Sequence, residues 1–110
     1  MVYTPGKVIS TASTNLTQIK ASAGYIGYLA MTNNGASNAY IKLYDAANPV
    51  VGTDIPVHTF EVPRPGSNIP LSDFGINFRK AIWLAITGGI ADSDSTAVAA
   101  GQVIVNYGCL

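Results

Sequence analysis

The chain has 110 residues, 48% of them hydrophobic, with six Lys and Arg balanced by six Asp and Glu and a formal net charge of zero. That length makes one small domain with much surface for its volume. Its charged fraction of 11%, against about 25% in ordinary soluble domains, leaves the outside mostly neutral, which suits a chain packed against copies of itself or a partner. Lys7, Lys20, Lys42, Arg64, Arg79 and Lys80 are scattered, so no stripe exists to neutralise a run of phosphates, and nucleic acid and anionic membranes are excluded as partners. No apolar stretch approaches the length of a spanning helix, and the first residues lack the basic region and apolar run of a signal peptide. The expectation is a chain made in the cytoplasm and left there unless an assembly carries it out.

The periodicity is that of strands, with apolar residues alternating or running in short blocks between Gly, Pro and Asn. Residues 1–13, with Pro5, Gly6 and a Ser/Thr cluster, are expected to form an arm ahead of one domain over 14–110. A crude alternation over 16–21 begins that domain. Residues 25–32 follow as a strand, with Tyr25, Gly27, Leu29 and Met31 on one face and Ile26, Tyr28 and Ala30 on the other. The turn at Asn33-Asn34-Gly35 draws on the tolerance of Asn-Gly for positive φ. The strand over 39–44 then opposes Ile41 and Leu43 to Tyr40, Lys42 and Tyr44.

Residues 45–56 read as connection and 57–62 as strand. Pro63, Pro65 and Pro70 bracket a stiff loop, because proline lacks the amide donor that a central strand requires. Strands over 76–78 and 81–87 come next, and the unbroken apolar run Ile82-Trp83-Leu84-Ala85-Ile86 demands burial on both faces. A long Ser, Asp and Ala loop over 88–101 leads to a last strand over 102–107. About eight short strands at this spacing predict an all-β fold, a single antiparallel β-sandwich of jelly-roll type.

Chemistry is sparse. The one His and the one Glu, His58 and Glu61, fall on opposite faces of their strand and cannot form a dyad there. The one cysteine, Cys109, lacks a neighbouring cation in sequence and reads as a small apolar residue at the end of the last strand. No nucleophile elbow, phosphate loop or zinc-protease motif occurs, so neither catalysis nor a cofactor is expected. Asp92 and Asp94 form the one acidic cluster. They are too few for a calcium loop and read better as caps for backbone amides. Tyrosine is another matter. Tyr40 and Tyr44 flank Lys42 on one strand face, and Tyr25 and Tyr28 sit on what the sequence suggests is a neighbouring strand. Tyrosine buries large area while its hydroxyl stays hydrogen-bonded, so these five are the interface candidates. A sugar-stacking face and an ordinary core face with hydroxyls at its rim are the alternatives.

Four stretches, Lys20-Ala21-Ser22-Ala23-Gly24-Tyr25, Tyr40-Ile41-Lys42-Leu43-Tyr44-Asp45, Gly52-Thr53-Asp54-Ile55-Pro56 and the Asp/Ala-rich segment over 91–101, give the chain a pattern that resembles a group of small tailed-bacteriophage virion proteins. The resemblance spans residues 14–107 and implies capsid decoration or cementing, with a tail or fibre role next. The partners it implies are the chain itself, as a trimer at quasi-threefold sites, and the major capsid protein, in a virion assembled in a host cytoplasm. A carbohydrate-binding module is the third expectation.

Overall fold

The computed structural model describes residues 2–71 and 75–110. Met1, within the expected arm, and residues 72–74, within the expected sandwich, lie outside the described residues. No helix occurs among the described residues, and the strands are β1 (Thr4–Ile9), β2 (Thr17–Lys20), β3 (Gly24–Asn33), β4 (Ala39–Tyr44), β5 (His58–Val62), β6 (Gly66–Leu71), β7 (Ile76–Phe78), β8 (Ile82–Thr87) and β9 (Val103–Cys109). One sheet has the order β1-β9-β3-β6, with β7 pairing the start of β3, and the other has the order β2-β8-β4-β5.

These orders have a simple origin. β1 pairs with β9, β2 with β8, β3 with β6 and β4 with β5, all antiparallel. The chain is therefore one long hairpin of nested pairs, wound so that alternate pairs fall in opposite sheets. That is the jelly-roll form of the β-sandwich, with β7 added between β6 and β8.

The core lies between the sheets and follows from strand alternation. Ile41 and Leu43 of β4 pair across to Ile86 and Leu84 of β8. They meet Ile26, Leu29, Met31, Val103 and Val105 from the facing sheet, all fully or nearly fully buried. Each such side chain contributes about 1.5–3 kcal/mol by leaving water. Cys109 is buried on β9, opposite Ile26.

Three expectations change. Thr4–Ile9, placed by composition in an arm, is a strand paired over its whole length with β9, from Thr4 opposite Cys109 to Ile9 opposite Ile104. The Pro-bracketed segment is not a loop: Gly66–Leu71 is β6, and it lies at the edge of its sheet, with β3 on one side only. An edge strand tolerates proline because one row of its amides has no ladder partner, and the register slips between Asn68 and Leu71, where Pro70 falls.

The third change concerns β3. Ile26 lies opposite Cys109 and Tyr28 opposite Gly108, so Gly27 is an extra residue, a β-bulge. The bulge reverses the faces ahead of it. Ile26, Leu29 and Met31 all point into the core, and Tyr25 joins Tyr28 and Ala30 on the outside.

Candidate interaction surfaces

The two outer faces of the sandwich differ in kind. The face of the β2-β8-β4-β5 sheet carries Tyr40, Lys42 and Tyr44, as alternation on β4 requires; the chain's own loop covers Lys42 and Tyr44, while Gln18 on β2 and Glu61 on β5 stay exposed. Lys42 is 0% exposed. Its Nζ donates to the carbonyls of Ala91 at 2.6 Å and Asp94 at 3.0 Å, drawing residues 91–94 down onto the sheet. Burial pushes the ammonium below the ordinary lysine range, against the opposing charges of Asp94 and Asp92.

Tyr44 is 1% exposed and lies opposite Trp83 on β8. Burial, and then the charges of Asp54 and Asp92, push its hydroxyl up. The Tyr44 hydroxyl and the Trp83 indole N–H are buried without a hydrogen-bond partner among the described residues. The double-sided burial expected of the Ile82–Ile86 run holds for Ile82, Leu84, Ala85 and Ile86, whereas Trp83 is only half-buried.

Asp94 organises the covering loop. Its Oδ1 accepts from the Gly89 amide at 3.1 Å, the Thr96 amide at 3.0 Å and the Thr96 hydroxyl at 2.6 Å. The Thr96 hydroxyl and amide, then Lys42 and Gly89, hold its pKa below the usual 3.8 against some desolvation. No group of three His, Cys, Asp or Glu side chains is placed to hold a metal among the described residues, so Asp92 and Asp94 do not converge with a further ligand. Asp45 behaves in a similar way. Desolvation raises its pKa, but amide hydrogen bonds from Arg79, Lys80 and Ala81, with the Lys80 charge, outweigh it and bring the value below 3.8.

A carboxylate with a depressed folded-state pKa stabilises the protein above its unfolded value, and that contribution is lost as pH falls through the folded value. Urea unfolding is therefore expected to give a stability that drops from about pH 4 downward, and Asp94→Asn is expected to flatten the drop. An unchanged acid limb in the variant would remove Asp94 from that account.

The outer face of the other sheet carries a tyrosine cluster. The bulge brings Tyr25 and Tyr28 to it, and Tyr3 joins them, its ring 6.3 Å from Tyr25 in a stacked arrangement and 6.0 Å from Tyr28 edge-on. Glycine makes room for these rings: a Cβ at Gly27 would lie 2.1 Å from the Tyr3 ring, and one at Gly108 would lie 2.2 Å from Tyr28. Across the strands the face continues in rows set by register, Pro5-Gly108-Tyr28, then Lys7-Asn106-Ala30, then Ile9-Ile104-Thr32. Among the described side chains in these rows Lys7 carries the one charge.

The five tyrosine-strand candidates therefore do not form one surface. Tyr25 and Tyr28 lie on one outer face, Tyr40, Lys42 and Tyr44 on the opposite one, because β3 and β4 belong to different sheets. Lys42 and Tyr44 are enclosed by the chain itself and present no surface. Tyr3 escaped the sequence reading because nothing in an N-terminal Val-Tyr-Thr signals that its ring will lie across a bulge.

At one end of the sandwich a shallow recess of about 350 Å³ is lined by residues 34–37 and 99–102. Asn33, buried at its rim, holds this end together. Its Nδ2 donates to the carbonyls of Ser37 and Val62, and its Oδ1 accepts from the Gly35 amide and from Gln102 Nε2. Ser10 ties β1 to the same end through the Ala99 carbonyl and the Val103 amide. His58 is exposed and stacks on Phe60 with ring centroids 5.9 Å apart, and the described hydrogen bonds join its imidazole to no carboxylate or hydroxyl.

Large aliphatic side chains also stand exposed where residues 45–57 meet the 88–95 loop. Ile55 is 76% and Ile90 64% exposed, with Val50 and Val57 nearby in sequence. The two loops touch, the would-be Cβ of Gly52 lying 3.3 Å from the Ser93 carbonyl and from Ser95. Comparison with known proteins finds neither a protein-family profile nor a curated relative that matches this chain.

Proposed function

We propose that the chain is a non-enzymatic structural protein of a phage virion, a capsid decoration or cement module that acts through self-association and contacts with the major capsid protein. The observation that carries this reading is the surface: the described rows of one outer sheet face hold no carboxylate, and aliphatic side chains stand exposed at the loop end. Neutral surfaces of this sort favour association over isolation. Many modest contacts repeated over a shell sum through effective concentration, which suits a small module without a reactive site. A threefold oligomer matches quasi-threefold positions on such a shell. Jelly rolls build viral shells and lectins alike, so the fold itself contributes by analogy only.

The Tyr3, Tyr25 and Tyr28 cluster favours a second reading, a recognition module of tail or fibre type or a carbohydrate-binding β-sandwich, in which aromatic rings stack on sugars. The test is a pair of measurements on the purified chain: light scattering across a dilution series, and co-sedimentation with assembled capsids alongside a glycan panel. Oligomers that sediment with shells support decoration. A persistent monomer that ignores shells and binds a glycan overturns it in favour of the second reading.

A further inference from the structure

The structure assigns the Asn34-Gly35 peptide, in the turn between β3 and β4, as a site of spontaneous covalent modification, in which Asn34 closes onto the Gly35 amide and the Asn33 carboxamide restrains the reaction. This inference is independent of the function proposed above.

The chemistry is local. The Gly35 backbone nitrogen gives up its proton and attacks Asn34 Cγ; the new C–N bond closes a five-membered imide, and Asn34 Nδ2 leaves as ammonia. Water then opens the imide at either carbonyl, giving aspartate or isoaspartate at position 34. Two conditions favour the attack: a following residue with no side chain to crowd the nitrogen, and a carboxamide able to turn toward it. Asn34-Gly35 is the one Asn-Gly pair in the chain. Asn34 is exposed and lies between strands. The described hydrogen bonds hold it by its backbone amide, 2.7 Å from the Gln102 carbonyl, and none of them engages its carboxamide.

The other loop asparagines lack these conditions. Asn15 precedes Leu16, and its carboxamide is tied to Thr11 and Ser13. Asn38 precedes Ala39 and is tied to Glu61 and Arg64. Asn48 precedes Pro49, whose nitrogen has no proton to give up.

The fold restrains what the sequence invites. The Gly35 amide donates to Asn33 Oδ1 at 2.9 Å, a side-chain acceptor two residues back. Asn33 is itself buried, with its Nδ2 fixed by the Ser37 and Val62 carbonyls. The bond keeps the proton on the attacking nitrogen and pins the plane of the Asn34-Gly35 peptide, which must turn for the ring to close. Reaction therefore proceeds through local openings in which Gly35 leaves Asn33. Its products alter this end of the sandwich: isoaspartate lengthens the main chain of the turn, and either product adds a carboxylate to a recess lined by neutral side chains.

The test is to age the full chain at mildly alkaline pH, once folded below its unfolding midpoint and once in urea, with mass-spectrometric peptide mapping to place and separate aspartate and isoaspartate. The expected result is modification at Asn34 ahead of every other asparagine, about tenfold slower in the folded chain than in urea, the effect of one hydrogen bond that must be given up. Asn33→Ala is expected to react about tenfold faster than wild type when folded and at the wild-type rate in urea. Asn33→Asp weakens the fold as well but keeps an acceptor for the Gly35 amide, so it is expected to stay close to the wild-type rate, which separates the hydrogen bond from a general loss of stability. Modification that begins at another asparagine overturns the site. Equal wild-type rates in buffer and in urea, or an Asn33→Ala chain no faster than Asn33→Asp, overturn the restraint. If Asn33→Ala fails to fold, the wild-type comparison of buffer with urea still decides.

Discussion

Replacing Lys42 by alanine is expected to lower the unfolding free energy by about 3 kcal/mol or more. Two losses combine. The Ala91 and Asp94 carbonyls lose a charged donor beneath the loop, and the lysine stem, enclosed between Tyr40 and Tyr44 on the sheet face, leaves a void. Lys42→Met separates them, since it keeps most of the stem and removes only the donors. It is expected to cost about 1–3 kcal/mol. Urea titration with an unchanged slope is the measurement. A methionine variant as stable as the wild type would mean that the ammonium's hydrogen bonds merely repay its own desolvation. Hydrogen exchange then gives the local picture, with amides over 88–97 losing protection ahead of the core strands.

Asn33→Ala is the second large effect, about 3 kcal/mol. The side chain spans the two sheets: it belongs to β3, yet its Nδ2 reaches the Val62 carbonyl of β5 at 3.0 Å and the Ser37 carbonyl at 2.9 Å. Its Oδ1 holds the Gly35 amide at 2.9 Å. Alanine strands a buried carbonyl and frees the 34–38 turn together. Aspartate keeps the acceptor and loses both donations, so Asn33→Asp is expected to destabilise by a comparable amount at neutral pH. Thermal unfolding of both variants is the check. An aspartate variant close to wild type would show that the acceptor half alone holds this end.

The strands from β2 onward, apart from β6, were legible because each announces itself locally. Ile41 and Leu43 alternate with Tyr40, Lys42 and Tyr44, and an Asn-Gly turn separates β3 from β4. The apolar run at Ile82, short, bounded by turn residues and rich in β-branched and aromatic side chains, reads as a strand covered on both faces. β1 and β6 were not legible for a common reason. Thr-Pro-Gly-Lys and Gly-Ser-Asn-Ile-Pro are poor strand sequences, and each becomes a strand only because a strong neighbour, β9 or β3, presents a complete row of hydrogen-bonding groups to an edge. Edge positions accept proline and glycine at little cost, so their sequences resemble loops.

The candidate surfaces divide in the same manner. The charge-poor composition and the reading of Asp94 as a cap for backbone amides follow from residue types and short-range spacing. The separation of Tyr25 and Tyr28 from Tyr40 and Tyr44 does not, because strands adjacent in sequence alternate between sheets in a nested hairpin. The outward turn of Tyr25 does not follow either, since one extra residue at Gly27 reverses the face of everything before it.

Composition and alternation by themselves determined that this is a small, charge-poor, antiparallel β-sandwich. Burial of apolar rows is a property of each strand alone, so it can be read without knowing its neighbours. Tertiary structure decided that a loop closes over Lys42 on one outer face and that tyrosine rings gather on the other. Both depend on partners far apart in the chain, Lys42 with the carbonyls of the 91–94 loop and Tyr3 with the bulge at Gly27, and no local pattern encodes contacts made only when the ends of the hairpin are wound together.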